Sequence, residues 1–264
     1  MGFFTYDFGY TWLWNYGHLI PVGVFGCLAV VAWRFVWPRW VSVVSVMLAL
    51  WGGTGLLIVQ VVLRMNLPLE LPTDQFSVEA SGQVLDVGAG SGRSALMVLL
   101  ATPDTSVVAL DLYDGYFGIS ENTPERLFAN ATTAGGRHRV DATVGDMRDI
   151  PLGTSSVDAV VSAYAIDHLD EDGIERSLKE VIRVLRPGGQ FLLMVINPDG
   201  WTRLAYPFLM HHGYWGPSAN PERWRGSLIS AGFEIVEEGT TPGTLHFLAR
   251  RGPCVNAALR GRAD

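Results

Sequence analysis

A chain of 264 residues, 48% hydrophobic and 17% charged, is long enough for one α/β domain with a full core and too apolar for that domain to be the whole of it. Its net charge of −7 leaves no basic excess to follow a phosphate backbone, which argues against nucleic acid as substrate or partner. Cys27 and Cys254 are ill placed to pair and no Cys or His spacing suits a metal, so reduced thiols and no structural metal are expected.

The apolar excess lies in the first quarter. Residues 1–17 carry Phe3, Phe4, Tyr6, Phe8, Tyr10, Trp12, Trp14 and Tyr16 around a single acid, Asp7. Tyr and Trp favour the headgroup layer of a bilayer, so this stretch is expected to lie at a membrane surface rather than to fold with a soluble domain. No basic leader and no small-residue cleavage site precede Arg34, so a removable signal peptide is not expected.

Residues 18–64 read as a two-helix membrane anchor. Leu19 to Trp33 reaches a span's length only with Phe35, Val36 and Trp37 included and Arg34 snorkelling to the interface. Val41 to Leu63 holds 23 residues without a charge, roughly 34 Å of helix, enough for the hydrocarbon core. Gly52, Gly53 and Gly55 would let a partner helix approach closely. Pro38 breaks the chain between the two segments, which must therefore be antiparallel neighbours. If this hairpin crosses, both termini lie on one side and Arg34 and Arg39 on the other, against the positive-inside tendency for a domain facing the cytosol. A hairpin that dips in without crossing avoids the conflict, and a buried soluble hairpin is the third reading.

Residues 65–82, with Pro68, Pro72, Asp74 and Ser81 and little periodicity, read as a linker to a domain over 83–252, with a tail over 253–264. The domain opens on Gln83-Val84-Leu85-Asp86-Val87, a short apolar strand, and then a turn with Gly88, Gly90 and Gly92 at alternate positions before a helical pattern from Ser94 to Leu100. Glycines there bend the backbone and let a ligand approach the helix N-terminus with no Cβ in the way. Ser106 to Asp111 is a second strand ending in an acid 25 residues after Asp86. An acid at that tip is where doubly wound folds hold a ribose diol. The aromatic loop Tyr113 to Ser120 would wall the ligand or touch a lipid, and Thr123-Pro124-Glu125 starts a helix with an N-cap, a first-turn proline and an acid. Val140 to Val144 and Val157 to Ala163 are strands three and four. Asp170 or Asp172 caps a helix with apolar residues at Ile174, Leu178, Val181, Ile182 and Leu185. Arg186-Pro187-Gly188-Gly189 stops it, and Gln190 to Ile196 is strand five. Pro221 to Gly232 reads as helix, Phe233 to Glu237 and Leu245 to Arg250 as the last strands.

The glycine spacing excludes a dinucleotide fingerprint, whose third glycine would fall where Arg93 stands. The string Asp86-x-Gly88-x-Gly90-x-Gly92 resembles motif I of the class I S-adenosylmethionine-dependent methyltransferases, and Val184-Leu185-Arg186-Pro187-Gly188-Gly189 before strand five is a second likeness; together the matches run from about Val84 to Asn197. Within the family the likeness is to its methyltransferase-domain, UbiE-like group. The resemblance implies a Rossmann-like, doubly wound seven-stranded α/β sheet behind the helical hairpin, with the last strand antiparallel, and S-adenosyl-L-methionine as cofactor. It implies a cofactor site at Asp86, Gly88, Gly90, Gly92, Asp111 and Leu112, with Asp146 accepting from the adenine amine and Met147 covering its ring. It places Ala163 and Tyr164 beside the sulfonium.

Methyl transfer is an in-line displacement that needs alignment and dryness, and a base only when the acceptor arrives protonated. Asp167, His211, His212 and Tyr214 are the candidates, with His168 a packed neighbour. A short-chain dehydrogenase is excluded because Lys179, the one lysine, has no tyrosine four residues before it, and a DNA amino-methyltransferase because Ser162-Ala163-Tyr164-Ala165 replaces its Pro-Pro-aromatic string. The reading that results is an enzyme at the cytoplasmic face of a bacterial inner membrane, acting on an apolar or membrane-associated small molecule: a quinone, isoprenoid, lipid or thiol. A non-catalytic cofactor-binding protein that recruits a partner is the alternative.

Overall fold

The computed structural model describes residues 5–114, 122–207 and 220–252. His211, His212 and Tyr214, most of the aromatic loop, Cys254 and the tail lie outside the described residues.

A short helix, α1 (Trp12–Tyr16), leads into α2 (Leu19–Arg34) and α3 (Arg39–Leu57), and α3 runs on through one π-helical turn, Ile58–Val62. α2 and α3 form the expected antiparallel pair. Two of the three glycines serve it: a Cβ on Gly52 would press on Pro21 and one on Gly55 would collide with the His18 ring, whereas Gly53 faces open space.

The domain follows as β1 (Gln83–Val87), α4 (Arg93–Ala101), β2 (Ser106–Asp111), α5 (Pro124–Thr133), β3 (Val140–Val144), β4 (Val157–Ala163), α6 (Glu171–Val184), β5 (Leu185–Ile196), α7 (Gly200–Ala205), α8 (Pro221–Ala231), β6 (Phe233–Thr241) and β7 (Thr244–Arg251). The seven strands lie in the order β3-β2-β1-β4-β5-β7-β6, parallel except for β7, which is antiparallel to β5 and β6. The apolar runs of β1, β2 and β4 are buried on both faces, as an inner parallel sheet requires. One face packs on α6 and α8 through Leu178, Trp224 and Phe233, the other on α4 and α5 through Leu96, Val98 and Leu127. The chain reverses its winding between β1 and β4, which leaves a crevice at their C-terminal tips.

The structure refines the sequence reading at several places. β5 begins at Leu185 rather than Gln190, because Leu185 pairs with Val157 and Gln190 with Ala159, so Arg186-Pro187-Gly188-Gly189 is an irregularity within the strand rather than a stop before it. Asp170, not Asp172, caps α6, accepting from Gly173 N at 2.8 Å. Residues 65–82 are no free linker: Leu69, Leu71, Phe76 and Val78 join the α4 and α5 side of the core, and Ser77 N donates to Gln190 Oε1 at 2.8 Å.

The aromatic N-terminus is a larger departure. Tyr6 and Phe8 are buried in that same core, their rings stacked 5.8 Å apart. Asn130 on α5 holds the segment between them: its Nδ2 donates to Asp7 O and Ser91 O, and its Oδ1 accepts from Asp7 N at 2.9 Å. Tyr6 and Phe8 alternate with polar Asp7, so an extended chain turns both rings to one face. The segment is therefore part of the domain.

Candidate active site

Over the crevice lies a cavity of about 380 Å³, within the range of small-molecule sites. One end is built by the turn after β1. Gly88 (φ +75°) and Gly90 (φ +52°) line it in a conformation that side chains rarely adopt. A Cβ on Gly88 would collide with Ala165, which follows β4, so the turn and the post-β4 segment meet only because that position is glycine.

Asp111, at the β2 tip, faces this end. Its Oδ2 accepts from Gly90 N at 2.9 Å, and its Oδ1 from Tyr113 N at 2.8 Å and Asn122 Nδ2 at 3.0 Å. The acid thus locks the tips of β1 and β2 in register, and carboxylate oxygens with two lone pairs each keep capacity for a ligand hydroxyl. Ser91 Oγ and Asn122 Oδ1 line the same cavity, are buried, and have no hydrogen-bond partner among the described residues. Buried polar atoms are rarely left so, and a ligand with hydroxyl and amino groups would satisfy both. This end therefore fits a nucleoside with an amino-acid arm. Neither Ser91 nor Asn122 stands out in the sequence, because each is placed by the turn it shares with Asp111.

The other predicted positions divide. Leu112, Met147, Ala163 and Tyr164 line the cavity. Tyr164 takes a left-handed backbone conformation (φ +54°), and its hydroxyl pairs with Thr244 Oγ1. Asp146 also lines it, but both its oxygens are taken by Arg148, including Nη2 to Oδ2 at 2.6 Å, and that hydrogen bonding holds its carboxyl below the usual range. These are the bonds that the sequence reading reserved for an adenine amine.

Three of the predicted positions do not line the cavity. Asp86 is fully buried beneath the turn and does not line the cavity; the strand's alternation aims it at the start of α4, where Ser94 Oγ donates to both its oxygens at 2.9 and 2.7 Å. Burial pushes its pKa up to about 7, against the Ser94 hydrogen bond. Gly92 does not line the cavity either: it is the left-handed N-cap of α4, and a Cβ there would strike Leu127. Asp167 is buried with Oδ2 accepting from Ile196 N at 3.1 Å, so it ties β5 to the segment after β4 and does not reach the cavity. His168 beside it does line the cavity.

The far end was not anticipated. Phe8, Tyr10 and Trp14 from the N-terminal segment, and Leu63 and Met65 from the base of the hairpin, close over the crevice. The alternation of Tyr6, Phe8 and Tyr10 is the signal that marks an extended, half-buried segment.

The strand order with its antiparallel last strand, the glycine turn and the acid at the β2 tip are similar to those of S-adenosylmethionine-dependent methyltransferase domains, whose cofactor is S-adenosylmethionine. Residues 84–189 match the methyltransferase domain family. Over 132 residues the chain is 34% identical to the ubiquinone/menaquinone biosynthesis C-methyltransferase UbiE of Methylobacterium nodulans, covering 48% of each chain. The chain thus spans about half the length of the curated relatives it matches. Among solved structures, geranyl diphosphate methyltransferase in complex with SAM aligns with a TM-score of 0.52 at 16% identity, over 67% of this chain and 82% of that one. The [4+2]-cyclase SpnF aligns with a TM-score of 0.51 at 18% identity, over 66% and 76%. A fold shared by a methyltransferase and a cyclase does not by itself dictate the reaction.

Proposed function

We propose that this chain is a membrane-anchored S-adenosylmethionine-dependent methyltransferase acting on an apolar or membrane-associated small molecule. The observation that carries the reading is one cavity with two unlike ends, a polar cradle of Gly90, Ser91, Asp111 and Asn122 and an apolar compartment of Phe8, Trp14, Leu63 and Met65. S-adenosylmethionine, when bound, supplies an electrophilic methyl group. Asp111 would take a ribose hydroxyl, Ser91 and Asn122 the remaining polar groups, and Met147 and Leu112 would cover the base. Ala163 and Tyr164 would stand where the two ends of the cavity meet. The aromatic wall keeps that junction dry, and dryness and alignment are most of what methyl transfer asks of a protein. His168 is the imidazole that lines the cavity among the described residues, and His211, His212 and Tyr214 remain candidates for proton removal from an acceptor.

Support for the anchor is the surface of the hairpin. Arg39–Val62 is a 24-residue helix of mean hydropathy 2.0, with 22% of its apolar stretch buried. Large side chains stand exposed along it, and Trp33, Trp37 and Trp40 gather at the tip beside Arg34 and Arg39, the mixture found where a helix meets an interface. The domain then faces the cytoplasm, where the cofactor is made, and the acceptor arrives through the bilayer.

Calorimetry with S-adenosylhomocysteine tests the cofactor half. Binding by the wild type, lost in both Asp111→Ala and Gly90→Val, is expected; unchanged affinity in either variant refutes the site. Incubation with isotope-labelled S-adenosylmethionine and a native membrane extract tests the reaction, since mass spectrometry should find a lipid-soluble product one methyl group heavier. A labelled product confined to the aqueous phase would overturn the acceptor class.

A further inference from the structure

The N-terminal segment and the hairpin base do more than tether the domain. Tyr206, on the chain after β5, donates its hydroxyl to Trp14 O at 2.8 Å, and the two rings stand 5.3 Å apart. His18 Nε2 donates to Ala205 O at 2.7 Å, and Trp51 Nε1 to Leu204 O at 3.2 Å. The turn Ile58–Val62 packs on Ala205 and Tyr206. These contacts lock α1 and the lower part of α3 to α7, so that Trp14, Leu63 and Met65 are fixed walls of the cavity. Leu57 and Val61, within two turns of Leu63 along the same helix, are more than half exposed. The compartment therefore adjoins the apolar outer surface of the hairpin.

Charge at this end is sparse and mostly committed. Of the cations lining the cavity, Arg93 directs Nε and Nη2 to three carbonyls, Leu63 O, Arg64 O and Leu67 O, at 2.9 to 3.0 Å, and Arg148 is paired with Asp146. The hydroxyls of Tyr206 and Tyr164 are taken by Trp14 O and Thr244. A carboxylate or phosphate brought here would be desolvated against aromatic faces, with one guanidinium edge, Arg93 Nη1, to offset the cost. Flat ring faces and aliphatic tips suit an uncharged aromatic or polyene body.

Resting on the methyltransferase reading, we propose that Tyr10, Trp14, Leu63 and Met65 form the acceptor-binding compartment, that it takes an uncharged, ring-bearing apolar molecule from the bilayer, and that it rejects anionic ones. The anchor is then part of the specificity site. The full chain in phosphatidylcholine nanodiscs is the test, with tritiated 2-geranyl-1-naphthol and its 1-phosphate as probes, empty discs as background, and S-adenosylhomocysteine affinity measured in parallel.

The naphthol is expected to bind saturably and at least tenfold more tightly than the phosphate. Met65→Trp, which fills the compartment, and Tyr10→Ala, which removes a wall, should each weaken it at least tenfold while S-adenosylhomocysteine affinity stays within twofold. Val24→Trp, on the exposed side of α2, should change neither. The proposal is overturned by no saturable naphthol binding, by phosphate binding as tight, or by naphthol affinity within twofold of wild type in both variants. If the wild type binds the naphthol with these sensitivities but never S-adenosylhomocysteine, the compartment stands and the methyltransferase reading falls. Should Met65→Trp lose S-adenosylhomocysteine binding through misfolding, Tyr10→Ala decides.

Discussion

Two carboxylates 25 residues apart show how position divides like side chains. Asp111 lies in the cavity wall with backbone donors around it; Asp86 is sealed under the glycine turn and held by Ser94. Because burial raises the Asp86 pKa to about 7 from an unfolded value of 3.8, the folded state holds a proton that the unfolded state has released between those values. Its stabilising contribution is complete below the unfolded pKa and is lost as pH rises through the folded one, at roughly 1.4 kcal/mol per unit for one proton. Asp86→Asn cannot release that proton. In unfolding measurements at pH 5 and pH 7, wild type should therefore lose more stability than Asp86→Asn over that interval, and parallel losses would show that Asp86 titrates normally. The motif announced an acid here, but whether that acid met a ligand or a serine depended on which way one strand residue pointed.

Between elements, Arg93 is the joint. It is the first residue of α4, immediately after the cofactor turn, and its three hydrogen bonds end on the carbonyls of Leu63, Arg64 and Leu67, in the chain that leaves the long apolar helix. Removing them in Arg93→Ala should cost about 1–3 kcal/mol, read as a lower melting temperature in detergent. Arg93→Lys should recover only part, since an ammonium cannot fork toward three oxygens. Full recovery by lysine would mean that charge alone matters. Strands β1 to β4 were legible residue for residue, because buried parallel strands are short apolar runs with sharp ends. The start of β5 was not: Pro187, Gly188 and Gly189 look like punctuation, yet the pairing of Leu185 with Val157 carries the strand through them.

Taken whole, the molecule is a sheet domain seated on a hairpin whose outer surface is left uncovered by the described residues. Cys27, exposed on α2 midway along the hairpin, reports where that surface lies. With Cys254→Ser as background and the bilayer placement proposed above, a water-soluble maleimide should leave Cys27 unlabelled in native membranes and label it after detergent solubilisation. Equal rates in both would remove the hairpin from the bilayer.

The local pattern alone settled the order of strands and helices, the glycine turn with its acid at the second strand, and an antiparallel pair of apolar helices, because each rests on side chains a few residues apart. Tertiary packing decided the rest. Tyr6 and Phe8 look membrane-seeking until α5 and the sheet offer them a core, Asp146 meets Arg148 before any ligand, and Asp167 turns to a strand edge instead of the cavity. A cavity wall drawn from residues 8, 63 and 206 depends on contacts between distant segments, which no run of neighbouring residues records.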